Sequence, residues 1–587
     1  MEWAGRNRHN SPMAKTATTD TEAHVRTGQA SLVKWVFWPT AVIVVGLSAV
    51  TIIWPAPMQA AFESITSWIT ANFGWWYVLL AFAFVVFCIA LGLSKKGDIK
   101  LGRPDDEPEF SLMSWFALLF AAGMGIGLVF FGVTEPMSHF VEPRPGEDVS
   151  GVISDSTEHG GEVATTTAKR AQSAMATTFL HWGFQPWAIY VIVGLSLALA
   201  IHRRGRPLSV RWGLEPLFGE KRVKGTFGNV IDVIALVGTV FGVSTSLGLG
   251  VNQITAGMAH MGWVDESNPW IKYVLIAVVT ACVLWSVLTG VSKGMKWLSN
   301  TNLVLAGGLV LFLLIVGPTQ FLLKEFVQSI GYYLQNYLGL SMNTSAFQGE
   351  VGEAWQAGWS TFYWGWWIAW SPFVGVFIAR ISRGRTVREF ILGVMGVPAT
   401  ITFLWFAVLG GNAIYREIHK TPGYESIIGP DGGVDSNAAL FQMLAQIPGS
   451  AVLIVGAMLL SAIFFITSSD SGSLVMAMLA TGGDSEPRSW IRAFFAVATS
   501  VLAAALLMAG GLEALQAASI SVALPFSFVM VLLAIATWKY LGANVRRNDK
   551  LRREAFIEEI GEAYGLETEA TESTTKKSDS WWRGLRN

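Results

Sequence analysis

Two short stretches of the sequence concentrate aromatic side chains that could bind a cation. The first, HWGFQPWAIY, runs from His181 to Tyr190, and the second, WSTFYWGWWIAW, runs from Trp359 to Trp370. Both lie within long apolar runs, where lipid alone does not require so many indole rings. Several ring faces around a dry cavity attract a quaternary ammonium group, which has no N–H to donate in a hydrogen bond. The residues therefore predict a binding site for an organic cation.

The spacing of the second stretch places its rings on one side of a helix. Its aromatic residues recur at steps of three and four, at Trp355, Trp359, Tyr363, Trp366 or Trp367, and Trp370. In the first stretch Trp187 and Tyr190 share a helix face, and a kink at Pro186 would turn Trp182 toward the same space. Packing between helices and an interfacial belt of aromatic residues stay open as alternatives to a binding site. The belt accounts for rings at span ends but not for rings along three turns.

A glycine-rich stretch, AAGMGIGLVFFG, predicts an interrupted helix. Gly123, Gly125 and Gly127 stand at alternate positions, and each glycine costs about 1 kcal/mol inside a helix. A dinucleotide-binding loop is excluded because the pattern is G-x-G-x-G, within a membrane span and without a preceding βα unit. The open alternatives are close packing through small residues and a discontinuous helix. In the latter, free amides would meet a carboxylate and free carbonyls a cation.

The run TSSDSGS, residues 467–473, offers oxygen atoms within another apolar segment. The hydroxyls of Thr467, Ser468 and Ser469 suit Na⁺, although such side chains often bond back to their own helix. Asp470 is an acid within a membrane span, which marks a candidate functional residue. The alternative for Asp470 is a simple ion pair with an arginine of an inner loop.

The elements that must position these residues are membrane-spanning helices. Of the 587 residues, 52% are hydrophobic and only 14% are charged, with a mean hydropathy of +0.45. Apolar runs of the ~20 residues that cross a bilayer recur along the chain, and they are continuous rather than alternating, which excludes a β-barrel. Twelve spans are predicted. They are 32–54, 74–94, 111–133, 173–201, 229–258, 271–291, 302–323, 355–379, 389–412, 448–479, 490–510 and 515–539.

Composition excludes several other classes of protein. A net charge of −1 gives no basis for nucleic-acid binding, and two mid-span cysteines, Cys88 and Cys282, give neither a disulfide framework nor a metal site. No cleaved signal peptide is expected, because the first 31 residues are polar and lack an apolar h-region. No catalytic triad, metal cluster or phosphate-binding loop is evident, so an enzyme or a channel is a remote alternative to a carrier.

The loops predict the orientation of the chain. Lys and Arg follow spans two, four, six and eight, whereas the loops after spans one, five and eleven contain neither. Both termini are therefore expected to be cytoplasmic. Three further segments do not span: 137–170 is predicted as a flexible polar outer loop, 325–340 as an amphipathic interfacial helix, and 545–565 as a short helix in the C-terminal tail.

Five segments form a characteristic set. They are GMGIGLVFFGVTEP (123–136), HWGFQPWAIY (181–190), VFGVSTSLGLG (240–250), FYWGWWIAWSPFVGVFIARISRGR (362–385) and FFITSSDSGS (464–473). Together they resemble the betaine/carnitine/choline transporter family, and the pattern is closest to its sodium-coupled glycine betaine transporters. The tryptophan string followed by an arginine-rich loop is the most specific part of the resemblance, which extends over about 110–540.

The resemblance implies an all-α fold with a LeuT-type inverted five-helix repeat, formed by spans three to seven and eight to twelve, with two peripheral helices before it. It also implies a homotrimer in the plasma membrane of a prokaryote. The corresponding divisions of the chain are 1–31 (cytoplasmic tail), 32–110 (peripheral helices), 111–324 (first repeat), 325–354 (interfacial helix and outer loop), 355–540 (second repeat) and 541–587 (cytoplasmic tail). The charged tail suggests osmotic regulation through anionic lipid or the inner loops.

The resemblance also assigns site residues. Those implied for the solute are Trp182, Trp187, Tyr190 and Trp367 as the ammonium box, Trp366 and Trp370 beside it, and Gly123, Gly125, Gly127 and Ser246 as further contacts. Phe130 and Phe362 would form the outer gate. The main sodium site would use the carbonyls of Ala121, Met124 and Phe464 with the hydroxyls of Thr467 and Ser468.

Two positions refine the expected transport reaction. A second sodium site would use Thr239 and Phe373, but Val243 stands where a second threonine belongs, and valine offers no oxygen. Gly127 is typically aspartate in proton-coupled choline carriers, so a neutral residue favours a zwitterion. The sequence thus predicts sodium-coupled import of glycine betaine without an organic cofactor. The alternatives are a choline, carnitine, ectoine or dimethylsulfoniopropionate carrier, driven by protons or by exchange.

Overall fold

The protein is helical throughout the part of the chain that its structure, a computed structural model, describes. The described residues are 32–123, 125–147, 163–289, 292–421 and 423–564. Within these ranges strand-like pairing is limited to two isolated bridges. The helices are α1 (Lys34–Ile53), α2 (Pro55–Leu93), α3 (Leu112–Gly123), α4 (Ile126–Val141), α5 (Thr165–Trp182), α6 (Phe184–Ala198), α7 (Glu215–Lys224), α8 (Thr226–His260), α9 (Trp270–Thr289), α10 (Ser292–Val316), α11 (Thr319–Ser341), α12 (Gly349–Gln356), α13 (Phe362–Arg380), α14 (Val387–His419), α15 (Ala439–Ala445), α16 (Ser450–Ala480), α17 (Ser489–Met508) and α18 (Leu512–Ala563).

Ten helical segments of the described ranges are long and apolar enough to cross a membrane. They coincide with ten of the predicted spans. The other two, the third and the eighth, are the spans that carry the glycine and tryptophan motifs, and both are irregular helices in the structure. The all-α membrane architecture is therefore confirmed, whereas the count of twelve spans stays a prediction.

The third span is interrupted at the glycines, as predicted. Helix α3 ends at Gly123 and α4 begins at Ile126, with Gly125 between them in an extended conformation (φ −144°, ψ −160°). Met124 lies outside the described residues. Because the helix is broken here, backbone groups near Gly125 lack partners within a helix.

The fourth span is also broken, but not where we expected. Helix α5 ends at Trp182 and α6 begins at Phe184, with Gly183 between them at φ −95° and ψ −124°. The predicted kink at Pro186 is wrong, because proline in the first turn of a helix has no N–H bond to lose. Glycine is needed at the break, since a Cβ on Gly183 would lie 2.4 Å from the carbonyl oxygen of Phe179.

The eighth span begins as α12 and continues through a π-helical turn, Ala357–Thr361, into α13. Helix α13 lies in the centre of the protein and packs against α6, α8 and α18. Its tryptophans therefore face other helices. An aromatic belt does not account for them, but it does account for the half-exposed Trp75.

The predicted bounds of three segments need correction. The predicted outer loop 137–170 is shorter in the structure, because α4 continues to Val141 and α5 starts at Thr165; its residues 148–162 lie outside the described part. The seventh span stops at Val316, since Pro318 cannot continue the helix. The tail helix predicted at 545–565 is the end of α18, which runs unbroken from the last span.

Loops at one end of the bundle hold the arginines that follow the even-numbered spans. Main-chain bonds join Leu101 to Arg385 (N···O 2.7 Å) and Val387 to Ile99 (2.9 Å). Arg383 also binds Asp106, with a shortest N···O distance of 3.1 Å, and this hydrogen bond lowers the pKa of the Asp106 carboxyl. These contacts hold the loop before α3 against the loop after α13, and they thereby fix the two helices relative to each other.

Candidate functional site

The four predicted box residues lie together in the structure. Trp182 is 4.9 Å from Trp367 between ring centroids, Tyr190 is 6.3 Å from Trp367, and Trp187 is 5.5 Å from Tyr190. All three pairs are nearly perpendicular, and each side chain is at most 5% exposed. The box thus joins the α5–α6 break to α13 through edge-to-face contacts between the rings.

Trp366 extends this cluster toward the glycine break. Its ring stacks on Trp367 at 4.7 Å and on Phe362 at 5.5 Å. A Cβ built on Gly127 would lie 2.3 Å from the Cη2 atom of Trp366 and 3.2 Å from that of Trp182. Gly127 is therefore required for the close approach of α4 to two tryptophans.

The predicted gate residues do not touch each other directly. Phe131, which the sequence analysis did not single out, lies between them, with ring centroids 4.8 Å from Phe130 and 6.4 Å from Phe362. All three rings are at most 3% exposed. Three phenylalanines therefore close the side of the cluster that faces the ends of α4 and α12.

Among the aromatic residues assigned to the solute, three buried polar atoms have no hydrogen-bond partner within the described part of the chain. They are the Tyr190 hydroxyl and the indole nitrogens of Trp366 and Trp370. Each can donate a hydrogen bond. Each of these donors is therefore available to a hydrogen-bond acceptor on a ligand.

A cavity of about 580 Å³ lies on the other side of the cluster, between α3, α10, α13 and α16. We call it the Ser468 cavity. It reaches from Trp370 and Phe373 to the exposed Ser299 and Asn300. Its further lining residues include Phe464, Thr467, Ser468 and Asn302. The sequence analysis missed Asn302, whose buried side-chain oxygen has no partner among the described residues.

The predicted main sodium ligands are only partly brought together. Ser468 lies near the helix break, since its Oγ is 3.7 Å from a Cβ built on Gly125. Thr467 instead bonds back to its own helix, 2.9 Å from the carbonyl oxygen of Ile463 and 3.2 Å from that of Phe464. Met124 lies outside the described residues, as does the side chain of Ala121. This ligand set stays a prediction.

The second sodium site is incomplete in the structure as well. The Thr239 hydroxyl bonds to the carbonyl oxygen of Ala235 at 2.8 Å, and Val243 is fully buried beside Gly472. The neighbouring hydroxyls do not replace it. Ser244 bonds to the carbonyl of Thr499 at 3.0 Å and Thr245 to that of Leu515 at 3.0 Å.

Two other predicted candidates have ordinary partners. Ser246 donates to the carbonyl oxygen of Gly242, 3.2 Å away within α8, so its role as a solute contact stays a prediction. Asp470 lies 3.4 Å from the Arg492 guanidinium of α17. The geometry therefore supports an ion pair as the role of Asp470.

Sequence reasoning missed a cluster around Glu135 of α4. Its Oε1 lies 2.6 Å from Nδ1 of His181 and 3.3 Å from Nε2 of His139. Its Oε2 accepts from the Trp182 indole at 2.6 Å and from the Tyr363 hydroxyl. The carboxylate is fully buried. An acid in an apolar span, four residues before a histidine, was the available signal.

Comparison with known proteins decides the family. Residues 35–546 match the family described as BCCT, betaine/carnitine/choline family transporter. The chain belongs to the betaine/carnitine/choline transporter family. It is a multi-pass membrane transporter and not an enzyme, since the members of this family transport small quaternary-ammonium solutes.

Three relatives show how this family member compares with others. It is 47% identical over 507 residues to an uncharacterized transporter of Mycobacterium tuberculosis, covering 86% of this chain and 82% of the relative. It is 42% identical over 522 residues to the glycine betaine transporter OpuD of Bacillus subtilis, covering 88% and 96%. It is 36% identical over 531 residues to the high-affinity choline transport protein of Escherichia coli, covering 90% and 74%.

Proposed function

We propose that this transporter imports glycine betaine by sodium symport. The observation that carries the proposal is the buried aromatic cluster of Trp182, Trp187, Tyr190 and Trp367. Ring faces attract a trimethylammonium group by cation–π interaction. The unpartnered donors of Tyr190, Trp366 and Trp370 complement a carboxylate on the same solute. A small zwitterion uses both features.

The surroundings of Gly127 support a zwitterion over a bare cation. Proton-coupled choline carriers of the family typically have aspartate there. In this protein even a methyl group on Gly127 would overlap Trp366, so no acid can stand at position 127 without moving the ring. The carboxylate of the solute itself fills the electrostatic role that an aspartate would have.

Sodium is the proposed coupling ion because Ser468 lies beside the break between α3 and α4. An ion held there by Ser468, Thr467 and the backbone of the break would stabilise one arrangement of the two helices. Since the box contacts α4 through Gly127, the ion and the solute would bias the same conformational equilibrium. With Val243 in the second site, one sodium ion per solute is expected.

The shape of the protein supports alternating access. The phenylalanine side of the cluster is buried, whereas the Ser468 cavity reaches exposed residues at the opposite end. With the predicted orientation, in which both termini are cytoplasmic, this cavity faces the cytoplasm of a prokaryotic cell. The LeuT-type inverted repeat, the homotrimer with α11 as a contact and the lipid-dependent C-terminal tail remain part of the proposal. Truncation after residue 545 should abolish osmotic activation if the tail is regulatory.

A choline carrier is the second candidate. The similarity to the Escherichia coli choline transport protein favours it, and the aromatic cluster alone does not distinguish choline from betaine. Carnitine, ectoine and dimethylsulfoniopropionate are further solutes that such rings accept. The predicted difference is that choline, which has no carboxylate, leaves the three donors unpaired and binds more weakly.

Uptake of labelled glycine betaine into proteoliposomes tests the proposal. An imposed inward sodium gradient should drive concentrative uptake, while a proton gradient without sodium should not. Choline, carnitine and ectoine serve as competitors. Uptake driven by protons alone, or exchange that is indifferent to both ions, would contradict the sodium assignment and leave the aromatic box as a cation site.

A further inference from the structure

Among the described residues no lysine or arginine forms an ion pair with the buried carboxylate of Glu135; the buried Arg144 lies near His139 and His181 but is not paired with Glu135. The ion-pair partners of Glu135 in this part of the chain are only the two imidazoles, His139 and His181. Burying an ionised carboxylate is costly unless its oxygens are hydrogen-bonded and its charge is compensated. Four neighbours meet the first condition, because they form hydrogen bonds with the carboxylate oxygens. The second condition, a compensating charge, points to a cationic group from outside the protein.

The four neighbours of Glu135 fit an ionised carboxylate. The indole of Trp182 can only donate, and the Tyr363 hydroxyl and the ring nitrogens of His139 and His181 lie where they can donate too. The far nitrogen of His181 lies 2.9 Å from the Ser360 hydroxyl. Neutral imidazoles with the proton on the Glu135 side satisfy this network, an assignment made from the hydrogen bonds.

The carboxylate lies directly behind one wall of the aromatic box. Trp182 has its N–H on Glu135, 2.6 Å away, and its ring 4.9 Å from that of Trp367. An indole that donates to an anion carries more negative charge on its ring face, which strengthens its attraction for a cation. The field of the carboxylate adds to this attraction, because the interior screens it little.

We propose that Glu135 is a positioning residue for the transported solute: its carboxylate fixes the Trp182 ring and supplies the negative charge that makes the box prefer a cationic group. This inference rests on the proposed function. The quaternary ammonium of the solute is the counter-ion that the buried carboxylate lacks. Loading the solute would therefore neutralise a charge on α4, the helix that follows the glycine break.

A metal ion is the competing candidate for the same residues. The ligand atoms of Glu135, His139 and His181 lie within 4.8 Å of one another. However, the 2.6 Å separation of Glu135 Oε1 from His181 Nδ1 is a hydrogen-bond distance, and it is too short for two ligands of one ion without a shift of either side chain. The hydrogen-bonded network is the arrangement that the geometry favours.

The variant Glu135→Gln separates charge from position. The amide oxygen can keep the bonds from Trp182 and Tyr363, and the NH₂ group can donate to the histidines in their other tautomer. The measurement compares dissociation constants for glycine betaine and for 3,3-dimethylbutanoate, which has the same shape but a neutral tert-butyl group. We expect betaine binding to weaken on the order of tenfold, and binding of the isostere to stay the same or improve.

Equal weakening for both ligands would show a merely structural role, and no weakening for either would overturn the inference too. Glu325→Gln makes the same chemical change in α11, away from the box, and should alter neither constant. If Glu135→Gln does not fold, Glu135→Asp retains the charge at a greater distance from Trp182. It should lower the preference for betaine by a smaller factor, and an unchanged preference would contradict the inference.

The two proposals fail differently. If the unmodified transporter does not bind betaine, or binds the isostere equally well, the proposed function fails. If it prefers betaine and Glu135→Gln keeps that preference, only the role of Glu135 fails. Inclusion of Zn²⁺ and of a chelator in parallel samples shows whether the cluster holds a metal; a betaine affinity that depends on Zn²⁺ would replace the present inference.

Discussion

Trp367 donates its indole N–H to the main-chain carbonyl of His181, with 3.0 Å between the two atoms. The bond joins the tryptophan string of α13 to the last turn of α5, and it is available because the helix breaks at Gly183. The two aromatic motifs are therefore held together by a main-chain hydrogen bond as well as by ring contacts. The helix break at Gly183 thus determines how the aromatic box is assembled.

Replacing Trp367 should weaken solute binding in two steps. Trp367→Phe keeps a ring but loses the bond to His181, so we expect a loss of affinity of about threefold to tenfold. Trp367→Leu also removes the cation–π partner, and a loss beyond about tenfold is expected. Equilibrium binding of glycine betaine checks both. Trp75→Leu, at a half-exposed position, should bind normally; equal effects at the two sites would contradict a specific box.

Adding a methyl group at Gly127 should damage the site. The new Cβ would lie 2.3 Å from Trp366, and overpacking of this kind costs about 1–3 kcal/mol. Gly127→Ala should therefore lower the thermal midpoint and reduce betaine affinity. Gly396→Ala, where a Cβ would meet nothing within 4 Å, is the matched control. A Gly127→Ala protein that binds normally would show that the ring can move aside freely.

Removing the hydroxyls of Thr467 and Ser468 should change the dependence on sodium. In the double variant to alanine, we expect half-maximal uptake to require at least about tenfold more Na⁺, since the loss of neutral oxygen contacts to a charged ion costs more than about 1 kcal/mol. Uptake rates measured across sodium concentrations check this. Ser471→Ala, which lines the same cavity, should keep the original dependence. An unchanged sodium requirement in the double variant would place the ion elsewhere.

Glu325 of α11, the helix predicted to lie at the membrane interface, should make stability depend on pH. Burial raises the pKa of its carboxyl from 4.5 to about 7, partly offset by the hydrogen bond from Ser329. The folded state thus holds a proton that the unfolded chain loses at lower pH, so this stabilisation is present at pH 4.5 and is lost as pH rises to about 7. The thermal midpoint should fall over that range.

Glu325→Gln should remove that part of the pH dependence, because glutamine does not titrate. Thermal midpoints in detergent at pH values on both sides of the window provide the test, with the exposed Glu353→Gln as control. Should the slope of Glu325→Gln match that of the unmodified protein, another group must be responsible.

The helices and the glycine break could be predicted because their signals are local. Apolar length gives a span, and three alternating glycines weaken one helix irrespective of its neighbours. The ring faces of α13 followed from helical spacing in the same way. The placement of the break at Gly183 instead of Pro186 could not be predicted, since both residues fit a kink, and the clash with Phe179 decides between them.

The Glu135 cluster was beyond sequence reasoning for a different reason. Its members come from three helices, with Tyr363 standing 228 positions away from Glu135. A lone acid in a span marks a candidate, but its partners are set by tertiary packing. The sodium ligands show the same limit, because hydroxyls such as Thr467 satisfy themselves within their own helix.

The central claim is that the aromatic cluster selects a cation by charge and not by apolar bulk. It is tested most directly by comparing the dissociation constants of glycine betaine and 3,3-dimethylbutanoate for the unmodified transporter. The account predicts at least about tenfold tighter binding of betaine, as expected for cation–π contact in a desolvated site. Equal affinities would contradict it and would reduce the tryptophans to an apolar packing surface.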